Sequence, residues 1–226
     1  MVVLNEFRGW EAGMKISSDM VKQLREMSGA PMMECKRALE EGQGNIEEAY
    51  TILRKRGQAA AAKKEGRATK QGLIGSYVHQ GAQLAVIVEV NCESDFVART
   101  EEFQELAHDL AMQICATDPR YLRKEDVSAA ALDRERAILL DQAKSSGKPD
   151  AVVERMVEGR LAKFYEDHCL YEQHFIKEQA GAQTIRELIN AKIAKFGENI
   201  AVRRFARFKV GEGMGSAGLD ESAAGS

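Results

Sequence analysis

The stretch Asn91-Cys92-Glu93-Ser94-Asp95-Phe96-Val97-Ala98 sets a carboxylate next to a large aromatic ring. At the tip of a tight connection, such a pair could press an anion and an apolar wedge against another macromolecule. The competing reading tucks Phe96 into the core and leaves Asp95 to shape the turn. Spacing alone favours that second reading, because most loop aromatics pack inward. Met32-Met33 offers a soft, adaptable contact surface, against the ordinary alternative of core filling at helical spacing. His79 stands at the edge of a turn with no acid or nucleophile placed near it, as surface histidines commonly do. No Gly-rich phosphate loop, metal-ligand cluster, nucleophile elbow or histidine-centred triad is present in the sequence. A binding protein is therefore favoured over an enzyme, with no cofactor or metal expected.

Composition narrows the partners. With 32 Lys plus Arg against 35 Asp plus Glu in 226 residues, no bulk charge points to nucleic acid or membrane. No apolar run approaches the roughly 20 residues needed to span a bilayer. Cys35, Cys92, Cys115 and Cys169 are far apart and read as reduced, mostly buried thiols of a cytoplasmic protein. Residues 54–70 hold the one basic cluster: Arg54, Lys55, Arg56, Lys63, Lys64, Arg67 and Lys70. A ribosome- or RNA-associated module using that run is the main rival reading, although no aromatic interleaves it to stack a base. An unrecognised enzyme is a second rival, which buried, paired titratable groups in a cleft would favour.

Rigid elements on both sides must position Asp95 and Phe96. Leu84 to Val90 is rich in β-branched residues and reads as a buried strand. Thr100-Glu101-Glu102-Phe103 opens a helix with Phe103, Leu106, Ala107, Leu110 and Ile114 on one face. A strand at 72–79 and a short Gly-containing loop complete a hairpin with the first strand. Upstream, Ser18 caps a helix carrying Val21, Leu24 and Met27. Pro31 suits the first turn of a second helix, with Met32, Cys35 and Leu39 on its stripe. Asn45 caps a third, and Gly57 closes the three-helix unit. Downstream, helices from about 126 to 144 and from Ala151 form a helical hairpin (about 126–164), with Val153, Met156, Val157 and Phe164 on the second arm. A short strand at 170–176, a helix at 184–196 and a strand at 200–210 follow. On that last strand Ile200, Val202, Ala206, Phe208 and Val210 share one face, with Arg203, Arg207 and Lys209 on the other.

The fold class is α+β. A three-helix module at 14–57 and a basic linker or fraying helix at 58–71 precede a core at 72–210. That core is a three-stranded antiparallel sheet with helices and the inserted hairpin. Residues 1–13 read as a leader, either a non-native one or the product of an upstream start codon, and 211–226 as a disordered tail.

Three segments carry a family resemblance. Val21 to Leu39, with Gly29-Ala30-Pro31-Met32-Met33-Glu34-Cys35-Lys36, resembles the amino-terminal module of bacterial elongation factor Ts. Glu89 to Ala98 is similar to that family's second signature, and Gly197-Glu198-Asn199 before Ile200-Ala201-Val202-Arg203-Arg204-Phe205 is similar as well. Order and spacing match over roughly residues 15–210. Ser94 stands where the family usually has threonine, and Pro31 where glycine is common. One core unit is present where longer members carry two, so the chain resembles the short form of the family. The resemblance implies guanine nucleotide exchange on the GTPase elongation factor Tu, with no bond broken. It also implies that two copies supply what longer members hold in one chain. A ubiquitin-associated-like module would dock on the nucleotide domain through Arg25, Met32, Met33 and Lys36. Asp95 and Phe96 match the residues that intrude beside the partner's magnesium site, and His79 resembles a histidine that contacts a second domain of the GTPase. No direct contact with nucleic acid is expected.

Overall fold

The computed structural model describes residues 16–145, 149–177 and 183–212. The expected leader lies outside that range, as do residues 146–148 of the expected hairpin break and the expected tail from 213 onward. The chain divides into two compact units. The first ends at Arg67 and also takes in Glu187–Asn199; the second holds Ala68–Arg186 and the chain from Ile200.

Three helices begin the first unit: α1 (Ser18–Ser28), α2 (Met32–Glu41) and α3 (Ile46–Lys64). The cap of α1 is Ser17, one residue before the expected Ser18, and its Oγ accepts from Met20 N–H. Pro31 occupies the N-cap of α2 and leaves Met32 as the first helical residue. Asn45 Oδ1 accepts from the N–H groups of Glu47 and Glu48 and so caps α3. Val21, Leu24, Cys35, Ala38, Leu39 and Ala49 form the buried cluster between the three helices. Gly57 does not close α3, which continues to Lys64. Glycine inside a helix costs about 1 kcal/mol, and the alanine run at 59–62 that follows is the strongest helix-forming composition available. The extended α3 lies along residues of α8 (Ile185–Phe196). Arg54 pairs with Glu187, and Lys64 Nζ donates to the Gly197 carbonyl. An added Cβ at Gly57 would meet the Asn190 backbone at 3.8 Å.

The second unit is built on one antiparallel sheet of order β1 (Gln71–Val78), β2 (Leu84–Cys92), β3 (Ala201–Lys209). From β2 the chain enters a one-turn helix α4 (Asp95–Ala98) and then α5 (Glu101–Thr117). Val86, Val88, Val90 and Cys92 are buried on one face, and α5 covers that face. Gly75 of β1 makes the close approach possible. A Cβ there would sit 2.6 Å from the Ala107 carbonyl oxygen of α5.

The alternation expected along β3 fails after Val202. Val90 pairs with Val202 but Glu89 pairs with Arg204, so Arg203 is an extra residue at a β-bulge. One inserted residue sends every later side chain to the opposite face. Phe205 and Arg207 therefore turn toward α5, while Ala206 and Phe208 point away. Arg207 is tolerated beneath the sheet because its guanidinium reaches Asp118, 3.5 Å away at the C-cap of α5, and Glu212 at 3.6 Å. The carbonyl end of a helix is a favourable place for a cation.

Residues 170–176 are not a strand. Leu170–Glu172 form a 3-10 turn, and His174 makes only an isolated bridge with Thr184. Buried amides dictate this path. Gln113 Nε2 of α5 donates to Gln173 Oε1 and to the His174 carbonyl, and Gln113 Oε1 accepts from Ile176 N–H. The helical hairpin is α6 (Ala129–Lys144) with α7 (Asp150–His168). Leu139, Ala143, Val153, Val157 and Leu161 form its seam, whereas Phe164 leaves the stripe and stacks edge-on against His168.

Candidate functional site

Two exposed apolar features stand out, one in each unit. In the second unit, Ser94 ends the extended chain after β2, and its Oγ accepts from Val97 N–H at 3.4 Å to cap α4. Arg99 N–H returns to the Asp95 carbonyl, and Thr100 Oγ1 donates to the Val97 carbonyl at 2.8 Å before capping α5 in its turn. Cys92 is buried and donates to the Ser94 carbonyl, while Ala98 packs inward. The turn is thus fastened on both sides, and Phe96 projects from it with 81% of its surface exposed. That value excludes the core-packed reading of Phe96. The hydroxyl that caps α4 is common to serine and threonine, so Ser94 serves this geometry without the missing methyl.

Asp95 is half exposed and lies 2.9 Å from the Arg99 guanidinium, one turn along. It also borders an open cleft of about 640 Å³ lined by β1 residues from Gln71 to Ser76 and by Arg99, Gln104 and His108. His79 sits at the far end of the β1–β2 hairpin, away from Asp95. Its N–H donates to the Leu84 carbonyl, and Nδ1 shares a hydrogen bond with the Tyr77 hydroxyl at 3.2 Å. The His108 ring meets Tyr77 edge-on, with centroids 5.7 Å apart. The sheet thus holds Asp95 with Phe96 at one end and His79 at the other.

Arg25, Met32, Met33 and Lys36 belong to the first unit. Arg25 and Lys36 are exposed, and Lys36 Nζ lies 3.9 Å from the Glu40 carboxylate. Met32 is 51% exposed and Met33 60%, so core filling is excluded for both. The spacing from Leu24 puts Met27 on the buried stripe, yet it is 46% exposed. It lies in the last turn of α1, beyond the reach of the three-helix cluster. The sign of this was positional: one residue past Met27 come the residues that end the helix.

The turn between α1 and α2 is tightly bonded. Gly29 takes a left-handed conformation and its N–H donates to the Arg25 carbonyl at 2.8 Å. Ser28 Oγ donates to the Leu24 carbonyl and accepts from Ala30 N–H. Beneath it Cys35 is buried, and burial pushes its thiol pKa up.

The basic run at 54–70 is less free than its composition suggested. Arg54 is paired with Glu187, Arg56 bridges Glu34 and Glu41, and Lys64 is tied to a carbonyl. Glu172 shows how the charged groups of the second unit are used. Burial raises its pKa, but hydrogen bonds from Arg186 and Lys124 outweigh that and bring it below the usual carboxylate value. Among the described residues no group of three or more His, Cys, Asp or Glu could hold a metal ion. None of the described helices is long and apolar enough to cross a membrane.

Known proteins align with these features. The family model described as elongation factor TS matches residues 14–212. The elongation factor Ts of Solibacter usitatus is 56% identical over 202 residues, covering 89% of this chain and 94% of that protein. That of Koribacter versatilis is 57% identical over 199 residues, covering 88% and 90%. That of Carboxydothermus hydrogenoformans is 55% identical over 199 residues, covering 88% and 91%. A match of this extent, over both the methionine turn and the Asp95–Phe96 turn, means that the chain belongs to the elongation factor Ts family of translation elongation factors.

Proposed function

We propose that the chain promotes release of GDP from the GTPase elongation factor Tu. The observation that carries this reading is Phe96, a large apolar ring held out in solvent by a turn that is hydrogen-bonded on both sides. Such a ring can enter a partner and separate elements around its nucleotide site. Asp95 beside it can disturb the surroundings of the partner's magnesium ion, which bridges phosphate oxygens. Arg25, Met32, Met33 and Lys36 dock the first unit on the nucleotide domain, and His79 contacts a second domain. No bond is made or broken, so the chain is an exchange factor rather than an enzyme. By linkage, nucleotide and exchange factor weaken each other's binding equally. Typical coupling is about 1–3 kcal/mol, and efficient exchange calls for the top of that range or beyond.

The working form is a cytoplasmic homodimer. The sheet face turned away from α5 supports this, because Ile74, Val78 and Phe208 there are each more than half exposed and Ile87 is nearly so. Exposed apolar residues on one sheet face, beside the Glu89–Arg204 ion pair, mark an interaction surface, and a two-fold pair is the simplest way to cover them. Light scattering at micromolar concentration should give twice the 25.0 kDa chain mass; the single-chain mass at high concentration would remove the dimer. The ion pairs that occupy Arg54 and Arg56 weigh against an RNA-binding role for residues 54–70. The deciding experiment follows fluorescent GDP leaving elongation factor Tu with and without the chain. Acceleration that saturates with chain concentration is expected, and an unchanged rate would end the proposal.

A further inference from the structure

Six methionines fall within the described residues, and their exposure divides them sharply. Met20, Met112 and Met156 are partly covered, whereas Met27, Met32 and Met33 are about half exposed or more. All three exposed ones flank the single turn from Ser28 to Pro31. The cysteines, which would ordinarily compete for an oxidant, are all buried. Burial also raises the thiol pKa of Cys35, Cys115 and Cys169, the last to about 11. A buried, protonated thiol is a poor nucleophile, so a peroxide meets the methionines first.

We propose that the turn carrying Met27, Met32 and Met33 is an oxidation site at which a hydroperoxide converts the thioethers to sulfoxides and so disables docking of the first unit. This rests on the docking role proposed above for Met32 and Met33, and it adds Met27 to that surface. In the reaction the thioether sulfur attacks one peroxide oxygen. The O–O bond breaks as the S–O bond forms, the proton on the attacked oxygen passes to the departing one, and water or an alcohol leaves. Sulfur loses two electrons and the peroxide gains two. The product replaces a flexible apolar side chain with a strongly polar one. On a surface that must be dried to bind, an acceptor without a partner opposes association. The turn itself is held by backbone and Ser28 hydrogen bonds that involve no methionine side chain. The fold therefore survives while the surface changes.

The full-length chain is treated with hydrogen peroxide, mapped by peptide mass spectrometry, and its affinity for elongation factor Tu compared with that of the untreated chain. Sulfoxide should form several-fold faster at Met27, Met32 and Met33 than at Met20, Met112 and Met156, and affinity should fall tenfold or more. Treatment with methionine sulfoxide reductases and a thiol should restore it. A triple Met27→Leu, Met32→Leu, Met33→Leu variant keeps every other methionine and all four cysteines. Its treated and untreated forms should agree within twofold, whatever its own starting affinity. Equal oxidation rates at all six positions, or full affinity after oxidation at the three, would overturn the inference. The docking role is tested separately by Met32→Glu with Met33→Glu without oxidant. If that variant binds weakly but the sulfoxide form binds well, only the inference fails; if both bind well, the docking role fails with it.

Discussion

The Phe96 turn and the Met27–Met33 turn both hold apolar side chains in solvent, and they do so with opposite mechanics. Phe96 is a flat ring with two rotatable bonds on a helical turn tied to a strand before it and a helix after it. The methionines are unbranched chains with three rotatable bonds, mounted on a firm turn but free to adapt at their ends. A stiff side chain on a stiff base can transmit force into a partner. A pliable one on a stiff base can fit a partner without deforming it. Under the proposed function, that difference matches displacement of nucleotide to one turn and adhesion to the other.

The comparison breaks most visibly at Phe96. Phe96→Ala should slow stimulated GDP release on the order of 100-fold, as expected for a central aromatic contact, while thermal denaturation stays unchanged because the ring buries almost nothing within the chain. A large drop in melting temperature with normal exchange would assign the ring to stability instead. Met32→Glu with Met33→Glu should weaken affinity roughly 10- to 100-fold, and the rate at saturating chain should remain near that of the unaltered protein. A fall in the saturated rate alone would erase the distinction between the two turns. These substitutions are preferable to truncation at residue 57, which would cut α3 in its interior and strip α8 of Arg54.

Asp95→Ala should slow exchange by a smaller factor, about 10-fold, equivalent to roughly 1.4 kcal/mol. Its effect should shrink as magnesium is withdrawn; independence from magnesium would leave Asp95 only its pairing with Arg99. The smallest effect sharpens the role of stiffness. Ser94→Ala removes the cap of α4 and should destabilise that turn by about 1 kcal/mol, with exchange reduced a few-fold. Ser94→Thr should behave like the parent chain, and calorimetry beside GDP release would check both variants.

Sequence pattern located the elements around both turns because their signals are local. Thr100 and Asn45 cap the helices they were expected to cap, and the register of β1 with β2 follows from a short hairpin. Exposure was harder. Neither Phe96 nor Met32 could be placed by spacing, since an apolar residue near a helix start has the same period whether or not anything lies opposite it. The bulge at Arg203 was the other blind point. Its readable sign is the adjacent pair Arg203-Arg204, which interrupts strict alternation, but only the pairing of Glu89 with Arg204 shows which strand took the extra residue. The strand expected at 170–176 failed because tertiary hydrogen bonds from Gln113, 60 residues away in the chain, outweigh local preference.

The β1–β2 pairing also makes the second unit a length standard. Eight cross-strand pairs run from Gln71–Cys92 to Val78–Ala85, a span of roughly 23 Å at 3.3 Å per residue. Asp95 follows one end and His79 follows the other, so their separation is set by a count of residues rather than by a loop. Removing one pair would turn the intervening side chains to the wrong face. Removing two would keep the faces and shorten the span by about 6.6 Å. The distance between these two residues can therefore be retuned only in coarse steps, which makes the hairpin a gauge that tolerates substitution far better than insertion or deletion.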